Sequence, residues 1–423
     1  MRKKIYGSHS VVAGFLALIV MLVSVLSGCG MYHKEEGSSY MPEQIRLVTG
    51  TSEIKGDPEA LTRQDGRPLA VFSEKLMENA LTKAREGGKE NMVLSPLSAY
   101  LALMATACMG EEANQDSYAQ VLGVPESQWN DYGRNLMRHM NWTKGDSCVV
   151  ASNSLWLDDG ASLPSASLMR ISQHLYTKVY QGDLQSQVTM DAINYMVNDQ
   201  TQGMIPRLRQ EPYEEEILWS ILNVVYLEAK WQQAFQKAQV EEKVFYTAQN
   251  EEITTLFLTD YFGHRAYIQQ ENWDGIVLPY RESNLAFVAL RPMEGQTVDE
   301  LLLSLTPDVW GQCSDQAEDT LMNFSMPKFT IEYRQDLTDV LCDMGLSQAL
   351  IDLGADVSQT VKIQVDEEGT KAAAVTEVQA GGAMLPPEKS PLEIHFDHPF
   401  VYGIVDTAAQ IPLFVGVMDR PVQ

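Results

Sequence analysis

The chain has 423 residues, 45% hydrophobic and 21% charged, enough to bury the core of one large domain or two ordinary ones. Its formal charge of -26 argues against nucleic acid, or an anionic membrane surface, as a partner held by bulk electrostatics. The acid excess serves solubility first, and it also favours encounter with a basic partner.

The first residues read as processing signals. Arg2, Lys3 and Lys4 precede an apolar run from Val11 to Leu26, long enough for a signal core and short for a membrane span. The run ends in Leu26-Ser27-Gly28-Cys29, which resembles the lipobox of bacterial lipoproteins. That resemblance implies removal of residues 1–28 and lipidation of Cys29. The product would be extracytoplasmic, anchored by its lipid to a bacterial membrane or cell surface, or shed from it. An ordinary cleaved signal peptide with an incidental cysteine is the alternative. From Cys29 to Arg67 the text is polar and lacks sustained periodicity, as expected of a flexible tether. The folded domain is placed at 68–423.

Leu69, Val71, Phe72, Leu76 and Ala80 recur at helical spacing and open the domain. Ser95 suits an N-cap, and Pro96 tolerates the first helical position because no amide partner is needed there. Leu97, Leu101, Met104, Ala105 and Cys108 then form an apolar side. Helical patterns dominate to about residue 210, and strands dominate later. Residues Ile221 to Leu227 form a β-favouring run expected of a central strand buried on both faces. Residues 276–279 and 285–290 flank a turn-like Arg281-Glu282-Ser283-Asn284 and predict a hairpin. Residues Leu413 to Val417 predict a buried C-terminal strand. No βαβ alternation is present, so the fold class is α+β. Cys108, Cys148, Cys313 and Cys342 show neither CxxC nor zinc spacing. They are expected to be buried thiols rather than a disulfide framework.

The segment from Asp366 to Pro387 is the most informative. Its even positions Thr370, Ala372, Ala374, Thr376, Val378 and Ala380 are small or apolar. Its odd positions include Lys371, Glu377 and Gln379, so the segment has one buriable and one wettable face. Alanine nevertheless favours helix, so this is a poor permanent strand. Proline, which would interrupt a ladder, is absent until Pro386-Pro387. Gly369 gives the upstream end freedom to hinge. On these residues alone, an insertable loop and a plain flexible connection both stand.

Residues 365–376, Val-Asp-Glu-Glu-Gly-Thr-Lys-Ala-Ala-Ala-Val-Thr, resemble the loop hinge of inhibitory serpins. Other signatures follow in that family's order. They are Asn91 to Ser98, Ile193 to Val197 with Thr201 to Ile205, Asn223 to Trp231 with Phe235, Met326 to Phe329, Asp397 to Phe400, and Phe414 to Gly416. The resemblance covers about residues 69 to 421. It implies three β-sheets, about nine helices and an exposed reactive-centre loop, with no cofactor and no metal. It also implies a monomer that traps a serine or cysteine protease by letting it cut the loop, which then enters the main sheet. Glu367, Gly369, Thr370, Ala372, Ala373, Ala374 and Val375 would form the hinge. Ser95, Ser98 and Asn223 would form the shutter beneath the opening point, and Trp231 would lie at the breach. Gln359 stands where the family's shutter usually carries a histidine. It can hydrogen-bond but cannot titrate.

The family's usual spacing from the hinge glutamate places the scissile bond at Ala383-Met384, which suits an elastase-like enzyme. Met384-Leu385 is the next choice. No GxSxG, HExxH or phosphate loop supports an enzyme. His395 and His398 flank Asp397, but strand positions three apart face opposite ways, so no metal is expected there. The competing function is a non-inhibitory serpin, acting as a protease substrate or binding module.

Overall fold

The computed structural model describes residues 41–50, 54, 61–214, 217–353, 357–370 and 390–422. Cys29 and the loop positions Lys371, Ala372, Ala373, Ala374, Val375, Ala383, Met384 and Leu385 lie outside them. No helix among the described residues is long and apolar enough to cross a membrane.

Two hydrogen-bonded sheets organise the chain. The first runs, edge to edge, through Arg46–Thr49, Lys178–Gln181, Ser147–Leu157, Trp219–Lys230, Gly369–Thr370, Ser358–Val365 and Phe329–Asp336. Asn141–Lys144 adds a hairpin arm to Ser147–Leu157. The second runs through Leu392–His395, Glu318–Pro327, Glu252–Gln269, Trp273–Pro279, Leu285–Pro292, Phe400–Asp406, Ile411–Met418 and Met92–Leu94, with Val240–Tyr246 beside Glu252–Gln269. Two of the three expected sheets are joined here because the 18-residue strand Glu252–Gln269 serves both. Nine α-helical segments occur among the described residues, the last (338–353) broken at Gly345, whose φ is 110°.

The helix Pro96–Met109 is buried nearly all round, which marks it as a core helix rather than a surface one. It packs behind Trp219–Lys230 and Ile411–Met418, tying the first sheet to the second. Ser95 caps it as expected, its hydroxyl oxygen accepting from Ser98 N at 3.2 Å. The predicted hairpin forms, with Ala286 opposite Pro279 and Leu290 opposite Gly275. The C-terminal strand Ile411–Met418 is buried throughout.

Four expectations change. The tether does not extend to Arg67. Arg46–Thr49 pairs with Lys178–Gln181, and Ile45 is buried in one apolar cluster with Trp156 and Tyr180. The first helix begins at Arg63, not 68, because the Asp65 carboxylate accepts from Thr62 N at 2.9 Å and fixes the start. The chain before residue 210 also carries strands 92–94, 141–144, 147–157 and 178–181, since pairing partners outweigh local helical pattern there. Finally, Trp219–Lys230 is not buried on both faces. Residues Trp219 to Asn223 are only half-buried, because one flank of this strand is open.

Cys108, Cys313 and Cys342 are free thiols, and Cys148 is buried. Burial pushes the Cys108 thiol up to about 11 and the Cys313 thiol up to about 12, so neither is a ready nucleophile at neutral pH.

Candidate functional site: an open slot in the first sheet

Trp219–Lys230 and Ser358–Val365 are neighbours that do not pair with each other. Gly369 lies opposite Lys230, and Thr370 lies between Ala229 and Val365. Below those two residues, no described residue fills the ladder between the strands. A cavity of about 350 Å³ opens there, lined by Leu222, Asn223, Val225 and Leu227 on one side and Gln359, Val361 and Ile363 on the other. Two central strands thus present backbone donors and acceptors to each other without closing the ladder.

The upper end is fastened by a tight turn. Asp366 N donates to Gly369 O at 3.0 Å, and the Asp366 carboxylate accepts from Glu368 N at 2.9 Å and Gly369 N at 3.2 Å. Glycine is required at 369, because a Cβ there would collide with the Ala229 carbonyl. Trp231 locks the turn from behind. Its indole N–H donates to Asp366 O at 2.8 Å and its backbone N–H to Glu368 O at 3.0 Å. Its ring stacks on Tyr280 at 4.7 Å. The Tyr280 hydroxyl hydrogen-bonds the Thr370 hydroxyl, so the first even-numbered side chain of the loop already points into the core, 2% exposed. Burial pushes the Tyr280 phenol well above its ordinary range, so it stays a neutral partner.

Charges hold the outer face of the same turn. Lys328 Nζ lies 2.7 Å from Glu367, and Lys237 Nζ lies 3.0 Å from Glu368. Burial alone would raise the Glu367 carboxyl, but Lys328 and a backbone hydrogen bond outweigh it and hold it below its ordinary value. Asp366 goes the other way: burial raises it, and the two backbone donors oppose that only in part.

The lower part is held by neutral groups. Gln359 grips the helix start with both ends of its amide. Its oxygen accepts from Ser95 N at 2.8 Å, and its nitrogen donates to Ser95 O at 2.9 Å. The Ser95 hydroxyl donates to Leu413 O at 2.7 Å, reaching the second sheet. Ser98 Oγ approaches Asn223 O at 3.4 Å. Asn223 Nδ2 donates to Asn153 Oδ1 at 2.8 Å and Ser152 O at 3.2 Å, while its Oδ1 is buried with no partner among the described residues. The structure therefore brings Ser95, Ser98, Asn223 and Gln359 together at the base of the slot, and Trp231, Glu367, Gly369 and Thr370 at its head. Tyr280 and Lys328 belong to the head as well. Lys328 stood within the Met326 to Phe329 signature without a role assigned to it, and Tyr280 carried no mark, since each acts through a partner more than 35 residues away.

Comparison with known proteins agrees with this architecture. A family model described as Serpin (serine protease inhibitor) matches residues 70–421. Iripin-3 of Ixodes ricinus is 28% identical over 386 residues, which cover 84% of this chain and 96% of that one. The crystal structure of the thermophilic serpin Tengpin in its native state superposes with a TM-score of 0.78 at 26% identity, covering 89% of this chain and 100% of that one. Tengpin in its latent state superposes less closely, with a TM-score of 0.70 at 25% identity over 84% of this chain and 97% of that one.

Proposed function

Because the chain belongs to the serpin family of serine protease inhibitors, we propose that it traps a protease as a suicide substrate, with closure of the open slot supplying the driving force. The observation that carries this proposal is the register at the head of the slot. Gly369 and Thr370 already pair as the first two residues of a strand antiparallel to both neighbours. Continuing that register sets Ala372 between Leu227 and Ile363, and Ala374 between Val225 and Val361. Thr376 then falls between Asn223 and Gln359, beside the unpartnered Asn223 oxygen. The even positions keep the inward face that Thr370 already shows.

Connectivity explains why the slot stays open until the loop is cut. Ten residues of inserted strand would carry the chain about 33 Å down the slot. His395 pairs beside Ser325, three residues from the Lys328 that holds Glu367, so strand Leu392–His395 sits at the head. Residues 381–391 would have to span the whole return, and eleven residues reach at most about 40 Å. An intact loop has almost no slack to insert. Cleavage at Ala383-Met384 removes the return path, and the small Ala383 points to an elastase-like enzyme as the target. Insertion then adds on the order of ten ladder hydrogen bonds, each worth about 1 kcal/mol net.

The test is to nick the protein with an elastase and compare melting before and after. We expect cleavage between Ala383 and Met384 by mass spectrometry, a covalent complex on a denaturing gel, and a rise in melting temperature on the order of 10 °C or more. A nicked protein that melts where the intact one does would overturn the proposal.

A further inference from the structure

The N-terminal strand enters the body at one end of the first sheet. Arg46 pairs with Gln181, Gln181 with Leu157, and Leu157 with Trp219, so these residues mark one level across four strands. Trp219 begins the strand whose last residue, Lys230, meets Gly369 at the head of the slot. Arg46 therefore lies at the foot of the sheet, about 36 Å of strand from that head. The residues before it are fastened there too. Ile45 is buried with Trp156, Tyr180 and Leu184, and Met41 packs against the same cluster. Ile45 N donates to Pro42 O at 2.9 Å, and Gly182 leaves room for the Ile45 side chain, which a Cβ there would meet.

This docking shortens a leash. Cys29, which the lipobox resemblance marks for lipidation, stands twelve residues before Met41, at most about 40 Å of extended chain. With Met41 to Thr49 undocked, the leash would run to Leu61 and reach about 110 Å. The foot itself offers little to anionic headgroups. Asp158 and Asp159 follow Leu157 there and Asp183 follows Gln181, against Arg46, which hydrogen-bonds Gln181. The inserted loop would end at this same level. Extending the register at the head sets Ala380 opposite Trp219, so Ala383 would pass beyond the foot, and an enzyme acylated on it would follow. Arg46 is four strand spacings away, about 19 Å. A protease of roughly 230 residues has a radius on the order of 20 Å. Leash and captured enzyme would thus leave the molecule at one place.

We propose that the docked segment Met41 to Thr49 makes the foot of the first sheet the membrane-facing pole. The head of the slot then faces outward, and the leash from Cys29 supplies the clearance into which a captured enzyme is carried. The partner is a lipid surface, held through acyl chains on Cys29 rather than by charge. Enzyme diameter and leash length match, each on the order of 40 Å, so the clearance is sufficient without being generous. The inference rests on lipidation of Cys29 and, for the clearance, on protease trapping. The experiment reads each of them apart.

The lipidated chain is placed on neutral phosphatidylcholine vesicles carrying a labelled lipid. A dye is attached at Arg281→Cys, whose backbone N–H donates to Lys230 O at the head, or at Asp159→Cys, just past Leu157 at the foot. Both carry Cys342→Ala, which removes the half-buried thiol. Energy transfer should place the foot nearer the bilayer than the head by on the order of 30 Å. Equal distances, or a nearer head, would overturn the proposal. Mass spectrometry finding no acyl chain on Cys29 would overturn it too, and would leave trapping untouched. Deleting residues 31–38 then shortens the leash to about 14 Å. On vesicles this form should give at least tenfold less covalent complex with elastase per cleavage. In solution, without acyl chains, both forms should trap alike. Equal trapping on vesicles would sink the clearance. No complex from the soluble, undeleted chain would instead sink the inhibitory function, and the dye distances would still decide the pole.

Discussion

Strand Trp219–Lys230 has two unlike sides. Toward Ser147–Leu157 it pairs over ten consecutive residues, from Leu157 opposite Trp219 to Cys148 opposite Glu228. Toward Ser358–Val365, among the described residues, only Gly369 and Thr370 bridge the gap. Composition does not account for the difference, because Val225, Leu227, Val361 and Ile363 are as β-favouring as the closed side. Among the described residues the open side has no partner beyond Thr370, and in the proposed mechanism the segment with a matching pattern is tethered so that it cannot reach down. The metastability proposed above thus belongs to connectivity rather than to poor packing.

The most damaging way to break this comparison is to spoil the partner. Thr370→Arg would place a guanidinium at a position 2% exposed and remove the hydroxyl that meets Tyr280. Leu227, Val361 and Ile363 line the slot below it and offer no counter-charge, so the guanidinium would be buried unpaired, at a cost of several kcal/mol. The loop remains cleavable. We expect covalent complex with elastase to fall by 100-fold or more, and the rise in melting temperature after cleavage to disappear. Thr370→Ser, which keeps the hydroxyl, should retain both. Retained complex in the arginine variant would contradict closure of the slot.

A smaller effect is expected at the base. Gln359→Ala removes the amide from both Ser95 N and Ser95 O; the carbonyl keeps Ala99 N at 3.1 Å, but the buried Ser95 N–H is left unmet at a helix start. Unmet buried groups cost about 1–3 kcal/mol each at most, so the intact protein should melt a few °C lower. Scanning calorimetry checks this, and an unchanged melting temperature would mean that Gln359 does not secure the helix.

Much of this site was legible in sequence because its signals are local. Ser95-Pro96 announces a capped helix, and the alternation from Thr370 announces a face. The small residue demanded at Gly369 also shows as a break in the text. The domain start was not legible. Arg46–Thr49 is a four-residue edge strand with no periodicity to show, and it draws its order from Lys178–Gln181 more than 120 residues away. Thr62 with Asp65 did carry a capping signal, but the search for apolar spacing passed over it. The half-burial of Trp219 to Asn223 was invisible for a different reason: the sequence of a strand does not say whether its neighbour is present.

The finest test of the two ends of the slot is acid. The base is held by the Gln359 amide, which has no proton to gain. The head is held partly by Glu367, whose carboxyl lies below its ordinary 4.5. A lowered carboxyl stabilises the fold fully above that ordinary value and loses its contribution as pH falls through the lower one. Asp366 is raised from 3.8, so its contribution has the opposite sign and is lost as pH rises through its raised value. Acidification should therefore relieve Asp366, and below about pH 4.5 it should release Glu367 from Lys328. The ion pair is partly exposed, so its worth is no more than about 1 kcal/mol. In Glu367→Gln the melting temperature at pH 7 should fall by about 1 °C, and the part of the acid loss set by this pair should vanish. Asp366→Asn should instead remove the gain that protonating Asp366 supplies. If both variants track the unaltered protein through the whole titration, the head of the slot is fastened by Trp231 and Tyr280 alone, and its two ends resist opening by the same kind of neutral contact.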